Sequence, residues 1–370
     1  MRFGPKLGLY CLGYQSYRSV GFPKLLPVSL TLALTSRCNS KCQTCNVWQF
    51  YQKDNSMAND ELKTDEYEKI IDNLGKSTVW FTMSGGEPFL RKDIVDICKL
   101  ATRTDPQVIN IPSNGLLPKV TEEKVSKILD ECKDTKIVIN LSLDGIGKRH
   151  DEIRGVKGNF KKLLDTYNRL NQLKPNHENF TLGVHTVISK LNVTEIEEIY
   201  DYVTKELKPD SYITETAENR VELDTMSKDI TPTAADYDKA ISYIQKGMAD
   251  EMKKTKGFHK MIKALRNEYY DIVKKVLAEK RQIIPCYAGI ASGQIDPYGN
   301  VWPCCIEAKN MGSLRDNNYD LRKVWFSKEA DERRKYIKAK NCYCPLANAH
   351  YTNMLCNPKI IRLVLGKALI

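Results

Sequence analysis

From Leu30 onward, short runs of apolar and β-branched residues alternate with longer stretches in which apolar residues recur every three or four positions. The short runs predict strands over residues 30–35, 79–83, 108–112, 136–143, 181–188 and 211–214. The longer ones predict helices over 60–74, 92–101, 121–132, 160–173 and 193–207. Strand then helix, five times over and followed by a sixth strand, is the order of parallel βα units, because parallel neighbours need a crossover between them. Periodicity alone leaves two architectures open, an incomplete (β/α)6 barrel and an open doubly wound sheet. Both put the ligand site at the carboxyl ends of the strands. A helical segment over 233–281 then leads to a cysteine-rich region from Cys286 to Cys356.

Composition narrows the class. The chain has 370 residues, 42% of them hydrophobic and 28% charged, enough to bury a substantial core. The longest uncharged stretch near the N-terminus, 25–36, has 12 residues and contains Pro27. A membrane span needs about 20 apolar residues, so no transmembrane helix is expected. The first residues, Met1-Arg-Phe-Gly-Pro-Lys6, do not read as a signal peptide. Twelve cysteines without a secretion signal read as metal ligands in a reducing cytoplasm. The net charge of +11 is uneven: residues 251–281 hold ten Lys/Arg against four Asp/Glu. Phe258, Ile262, Leu265, Tyr269, Ile272 and Val276 give that segment a core-facing stripe. Its basic side is either a solvated outer face or a surface for a polyanion, an acidic leader peptide or anionic lipid.

Candidate chemistry begins just past the first strand, where Cys38, Cys42 and Cys45 stand in C-x3-C-x2-C spacing. Four thiolates close a [4Fe-4S] cluster, so a tight loop offering three leaves one iron open to a small molecule. A zinc knuckle wants four Cys or His in close register, and no His lies between Lys24 and Arg149. Past the second strand comes Ser84-Gly85-Gly86-Glu87-Pro88, whose glycines let backbone approach a ligand closely. Ser113-Asn114-Gly115 follows the third strand. The fourth ends in Ser142-Leu-Asp144-Gly145, ahead of His150-Asp-Glu-Ile-Arg154-Gly155. On the sixth, Glu215 faces the cavity or the barrel mouth.

The cysteine loop and the Ser84–Pro88 turn together resemble radical S-adenosylmethionine (SAM) enzymes. The resemblance implies a partial (β/α)6 TIM-like barrel, within an α/β fold, and a [4Fe-4S] cluster on Cys38, Cys42 and Cys45. In that family the open iron binds SAM, and an electron from the cluster cleaves SAM to methionine and a 5′-deoxyadenosyl radical. The cofactor carries the hard chemistry. SAM contacts are implied for Ser84, Gly85, Gly86, Glu87, Pro88, Asn114, Ser142 and Arg154, with Asp144 and Glu215 near ribose, adenosyl group or substrate. Thr44 stands where many members carry an aromatic residue beside the adenine, a place left to Trp48 or to backbone contacts.

In the C-terminal region Cys286, Gly299 and Cys304 stand in C-x12-Gly-x4-C spacing, which resembles the opening of SPASM and twitch domains, holders of auxiliary [4Fe-4S] clusters. Residues 294–302 read as a hairpin with a Pro-Tyr-Gly-Asn turn between Cys286 and Cys304. Six thiols fully ligate one cubane, with Cys286, Cys304, Cys342 and Cys344 as ligands and Cys356 in reserve. The full SPASM run is absent here, and a structural zinc is the other reading. The chain thus divides into an extension (1–29), a core barrel (30–220), a helical connector (221–285), the auxiliary domain (286–358) and an apolar, basic tail (359–370).

Expected partners are a reductant such as flavodoxin or ferredoxin and a peptide, lipid or small-molecule substrate; nucleic acid is not expected. The tail suggests peripheral membrane contact, against a helix packed on the barrel. A reading from another class is a non-enzymatic iron-sulfur electron carrier or nucleic-acid-binding protein, which has no use for Ser84–Pro88, Ser142 and Arg154.

Overall fold

The six expected strands form as β1 (Ser29–Thr35), β2 (Trp80–Gly85), β3 (Val108–Ser113), β4 (Lys136–Ser142), β5 (Phe180–Ile188) and β6 (Ser211–Thr216). The computed structural model describes residues 5–53 and 55–369, so most of the opening hexapeptide read for a signal peptide lies outside the described residues, as does Ile370. All six strands run parallel, each beside its sequence neighbour, from β6 at one edge back to β1. Alternation explains why they pair in this register. On β3 and β4, Ile109, Ile111, Ile137, Ile139 and Leu141 are buried in the hydrophobic core, whereas Asn140 on the other face donates to Asn110 across the pair at 2.7 Å.

Crossover helices cover the apolar face: α3 (Thr64–Leu74), α4 (Ile94–Thr102), α5 (Pro118–Glu131), α6 (Lys148–Arg154), α7 (Asn159–Leu173) and α8 (Ile196–Asp201). On α3 the buried Tyr67, Ile70, Ile71 and Leu74 make a stripe at helical spacing. A short α2 (Val47–Lys53) follows the cysteine loop. The connector is two helices, α9 (Ala234–Lys254), capped by the Thr233 hydroxyl, and α10 (Gly257–Glu279). Cations on the basic side of α10 have local partners: Lys263 pairs with Glu251, Lys274 with Asp238 at 2.7 Å, and Arg266 donates to the Tyr212 carbonyl.

Two features depart from the sequence reading, and a third meets one of its two expectations for the tail. The expected hairpin forms as β7 (Ser292–Ile295) and β8 (Val301–Trp302), but β7 also pairs parallel with β1, Ser29 opposite Ser292 through Leu32 opposite Ile295. The C-terminal region therefore extends the barrel sheet to eight strands. Second, the N-terminal extension contains a 16-residue helix, α1 (Pro5–Val20), whose Tyr14 and Tyr17 are buried with Tyr287 and Cys356. Third, the tail is a docked helix. After α11 (Leu321–Trp325), α12 (Lys328–Lys338) and α13 (Ala347–Leu355), α14 (Pro358–Leu369) buries Val364 and pairs Lys367 with Glu268 of α10. Among the described residues no helix is long and apolar enough to cross a membrane.

Candidate functional site

The Cys38–Cys45 loop leaves the end of β1 and is held by backbone on two sides. Buried Glu61 receives the Thr35 hydroxyl and the Ser36 N–H, both at 2.8 Å, and so fixes the point of departure. On one flank, Gly86 N–H donates to Thr35 O and Glu87 N–H to Arg37 O, each at 2.7 Å. A Cβ on Gly86 would stand 2.0 Å from Arg37 O, so only glycine lets these two chains touch. On the other flank, Lys41 N–H donates to Arg154 O (3.0 Å) and Gln43 N–H to Ile153 O (2.9 Å). There Gly155, at φ +67°, would place a Cβ 2.2 Å from Lys41 O. Ser40 Oγ lies 3.2 Å from Cys42 Sγ and donates to Arg154 O. Burial pushes the Cys38 thiol up to about 12 and the Cys45 thiol up to about 11, with the neighbouring Cys42 adding to both. Buried thiols that resist ionisation alone, as Cys38 and Cys45 do, suit a cationic iron site that displaces their protons on binding.

The SAM-contact residues gather at this loop, though not all with a side chain directed to a ligand. Asn114 is buried and donates to Asn39 Oδ1 at 2.7 Å, its amide 3.9 Å from Cys38 Sγ. Ser142 closes β4 and Ser84 lies near the end of β2, both half-buried, while Pro88 is buried at the start of the following turn. The Glu87 carboxylate is occupied within the protein. One oxygen accepts from Asn114 N–H (2.8 Å), the other from the Ser113 hydroxyl (3.0 Å) and Phe89 N–H (3.2 Å), so it fastens the turn to β3. Asp144 also turns inward, only 1% exposed. Its oxygens accept from Arg154 Nη1 at 2.9 Å and from Val187 N–H at 2.8 Å, which makes it the seat of Arg154. Burial alone would lower the Arg154 pKa, but Cys42 and Asp144 hold it above its ordinary value. Trp48 donates to Cys45 O at 3.1 Å, with the Lys41 ammonium 5.9 Å over its ring.

Across the barrel, β6 and the segment after it carry a second charged group. Glu215 lies 3.8 Å from His185 and 3.7 Å from Arg220, and Arg220 pairs more closely with Glu218 at 2.9 Å. Burial pushes the Glu218 carboxyl up to about 7, against the pull of Arg220 and with the help of Glu215. Segment 218–228 bridges the two cysteine regions. Asn46 N–H donates to Leu223 O (3.0 Å) and Lys228 Nζ to Gln43 O (2.7 Å) on one side. On the other, Val221 N–H donates to Ile306 O (3.2 Å) and Arg220 Nη1 lies 3.8 Å from Cys305 Sγ. Glu61, Glu218, Arg220 and Glu222 were missing from the candidate residues; the only sequence signal was the acidic run around Glu215, since their partners are remote in the chain.

In the C-terminal region Cys286, Cys304, Cys342 and Cys344 line one pocket. Burial raises all four thiols, and Cys286 adds to the rise at each of the other three. Four thiols lining one pocket supply the donor set of a [4Fe-4S] cluster. Among the described residues no group of three or more His, Cys, Asp or Glu closes on a point as a single ion requires. Cys356 does not belong with them. It is buried beside Tyr14 and Tyr287, its thiol hydrogen-bonded to Cys11 of α1, because α13 carries it away from the cavity.

Two family models match the chain: "Radical SAM superfamily" over residues 32–203 and "Iron-sulfur cluster-binding domain" (SPASM) over 286–345. The AdoMet-dependent heme synthase of Methanosarcina barkeri is 26% identical over 82% of this chain and 83% of its own. The PqqA peptide cyclase of Bradyrhizobium diazoefficiens is 25% identical over 83% of this chain and 75% of its own. The Fe-coproporphyrin III synthase of M. barkeri is 31% identical over 48% of this chain, which spans only 41% of that protein. In fold, the chain is similar to anSMEcpe solved with bound AdoMet and the Cp18Cys peptide (TM-score 0.56, 15% identity, 92% of this chain and 100% of that one). The chain belongs to the radical SAM superfamily and is an enzyme of its SPASM-bearing branch, with SAM, a [4Fe-4S] cluster and auxiliary iron-sulfur chemistry as its cofactors.

Proposed function

We propose that Cys38, Cys42 and Cys45 hold the SAM-cleaving cluster, that Arg154 and Asn114 orient SAM against it, and that the substrate is a peptide. When bound there, the cluster and SAM would supply radical chemistry for hydrogen-atom abstraction from a substrate carbon. This chain's residues do the rest. Backbone at Gly86 and Gly155 fixes the cysteine loop, Asp144 aims Arg154, and Ser142 and Ser84 line the strand ends where a nucleoside would lie. Cys286, Cys304, Cys342 and Cys344 would hold the auxiliary cluster, and a small electron-transfer protein such as flavodoxin or ferredoxin would deliver the electron.

The observation that carries the peptide reading is the charge of the far wall. Glu215, Glu218 and Glu222 face the single guanidinium of Arg220. Such a wall suits a substrate rich in N–H donors and disfavours a tetrapyrrole, whose carboxylates would need cations. Likeness over most of the chain to a peptide cyclase agrees with this, while comparable likeness to a heme synthase supplies the competing reading.

Anaerobically reconstituted protein given dithionite and SAM should release 5′-deoxyadenosine, and Cys42→Ala should abolish the release. Undiminished release from that variant would sink the cluster assignment. Iron(III)-coproporphyrin should leave release at the rate seen without substrate; a strong acceleration would favour the tetrapyrrole reading.

A further inference from the structure

We propose that Arg220 is a positioning charge for the auxiliary cluster: seated by Glu218 and Glu215 against Cys305, it poises that cluster toward reduction. The inference rests on reading the cavity of Cys286, Cys304, Cys342 and Cys344 as the auxiliary site.

Arg220 is the guanidinium that segment 218–228 carries in against Cys305. Its Nη2 lies 2.9 Å from Glu218 and 3.7 Å from Glu215, and its Nη1 lies 3.8 Å from the sulfur of Cys305, which directly follows the ligand candidate Cys304. The seat is built. Arg220 N–H donates to the Thr225 hydroxyl at 2.9 Å, and Asn219 Nδ2 donates to Lys228 O at 2.8 Å, which closes the segment on itself. Val221 and Glu222 then hydrogen-bond to Ile306 O and Cys305 O. A guanidinium cannot lose its proton in a protein, and a charge shielded from water acts further than one in solvent.

Reduction adds one negative charge to a cluster, so a nearby cation favours the reduced form and a nearby anion opposes it. Arg220 and Glu222 therefore act in opposite senses. Glu222, whose backbone touches Cys305 and whose carboxylate receives Gln294 Nε2 from β7, is the opposing charge on the same segment. This gives the proposal a signature that a purely structural role would lack: neutralising the two residues moves the cluster in opposite directions.

The experiment is an anaerobic redox titration followed by EPR. It uses the full chain with Cys38, Cys42 and Cys45 all changed to Ala, so that only the auxiliary cluster reports. At the parent's midpoint, Arg220→Gln should lower the ratio of reduced to oxidised cluster about tenfold, which is 59 mV for one electron. Arg220→Lys should stay within about threefold of the parent, and Glu222→Gln should raise the ratio. Should Arg220→Gln fail to hold its cluster, Arg220→Lys and Glu222→Gln carry the test. If either Arg220→Gln or Glu222→Gln leaves the ratio within twofold, or if both shift it the same way, the assignment is overturned. A parent with no second reducible cluster overturns the four-thiol reading itself, and this assignment with it.

Discussion

Arg154 donates through Nη1 to Asp144 at 2.9 Å while its own carbonyl receives the N–H of Lys41 at 3.0 Å, so one residue joins the buried ion pair to the cysteine loop. Both side chains are almost wholly enclosed, and removing one member of a buried pair strands the other, at a cost of about 3–5 kcal/mol. Asp144→Asn keeps the shape and removes the charge. It is expected to weaken SAM binding by about tenfold or more, roughly 1.4 kcal/mol, with the iron at Cys38, Cys42 and Cys45 retained. Equilibrium dialysis of SAM against the reconstituted variant, beside iron analysis, checks this; unchanged affinity would leave Arg154 a structural role only.

Gly155 is the tightest point of that junction on its own side. A Cβ there would lie 2.2 Å from Lys41 O, with the backbone at a φ of +67° that side chains rarely adopt. Gly155→Ala should therefore displace the cysteine loop and cost about 1–3 kcal/mol in strain alone. About four of the protein's iron atoms should go, those of one cubane. Gly158, at φ +77° with nothing within 4 Å of its Cβ position, is the control: Gly158→Ala should keep its iron.

His150 ties the same region to pH. Its Nδ1 accepts the Asp144 N–H at 3.2 Å, and burial, with nearby Arg154 next in effect, pushes its pKa down to about 4. A group depressed in the folded state from about 6.5 binds more protons unfolded, so stability is full above 6.5 and falls as pH drops toward 4. Urea unfolding of the apoprotein should lose up to about 3 kcal/mol across that window, at 1.36 kcal/mol per unit. His150→Gln, an acceptor that does not titrate, should flatten the slope. An equally steep slope in the variant would place the effect elsewhere.

The barrel was legible because β-branched runs and helical stripes are local patterns, and the Cys38–Cys45 spacing is local too. What the sequence hid was set by contacts between distant residues. Nothing in the four residues Ser292–Ile295 announces a partner, yet their parallel pairing with β1 makes the C-terminal region part of the barrel sheet. The sequence does not announce α1, since Gly8 and Gly13 interrupt its apolar run. Gly13 is there for contact: its Cβ would meet Leu25 Cδ1 at 2.6 Å. Asp144 and Glu87 are visible in the sequence as motif residues, but only the fold shows which neighbours their carboxylates hold.

The separation of Cys356 from the four-thiol cavity has a direct test in iron content. With two cubanes the protein should hold about eight iron atoms. Cys342→Ser should drop this toward about four, since Cys342 lines the cavity, whereas Cys356→Ser, at the Cys11 contact, should leave it unchanged. Equal iron loss in both would restore Cys356 to the ligand set.

The C-terminal helix decides between a membrane face and a packed element. Its Val364 is 2% exposed, and Lys367 pairs with Glu268, itself 9% exposed at the side chain, so one side of α14 belongs to the fold. Leu363 and Leu365 remain outside at 51% and 46% exposed, with Lys359 and Arg362 exposed on the same helix. Two leucines half out of water offer little insertion energy, about 1.5–3 kcal/mol each even for complete burial. Losing the docked side exposes Val364 and strands the Glu268 carboxylate against α10. Deleting residues 359–370 is therefore expected to lower the melting temperature, by about 1–3 °C for 1–2 kcal/mol in a chain of this size. Co-sedimentation with anionic liposomes at low salt should stay weak with or without the tail. Strong, salt-sensitive sedimentation that vanishes with the deletion and with Leu363→Ser/Leu365→Ser would instead make this face a membrane contact and reopen a lipid substrate.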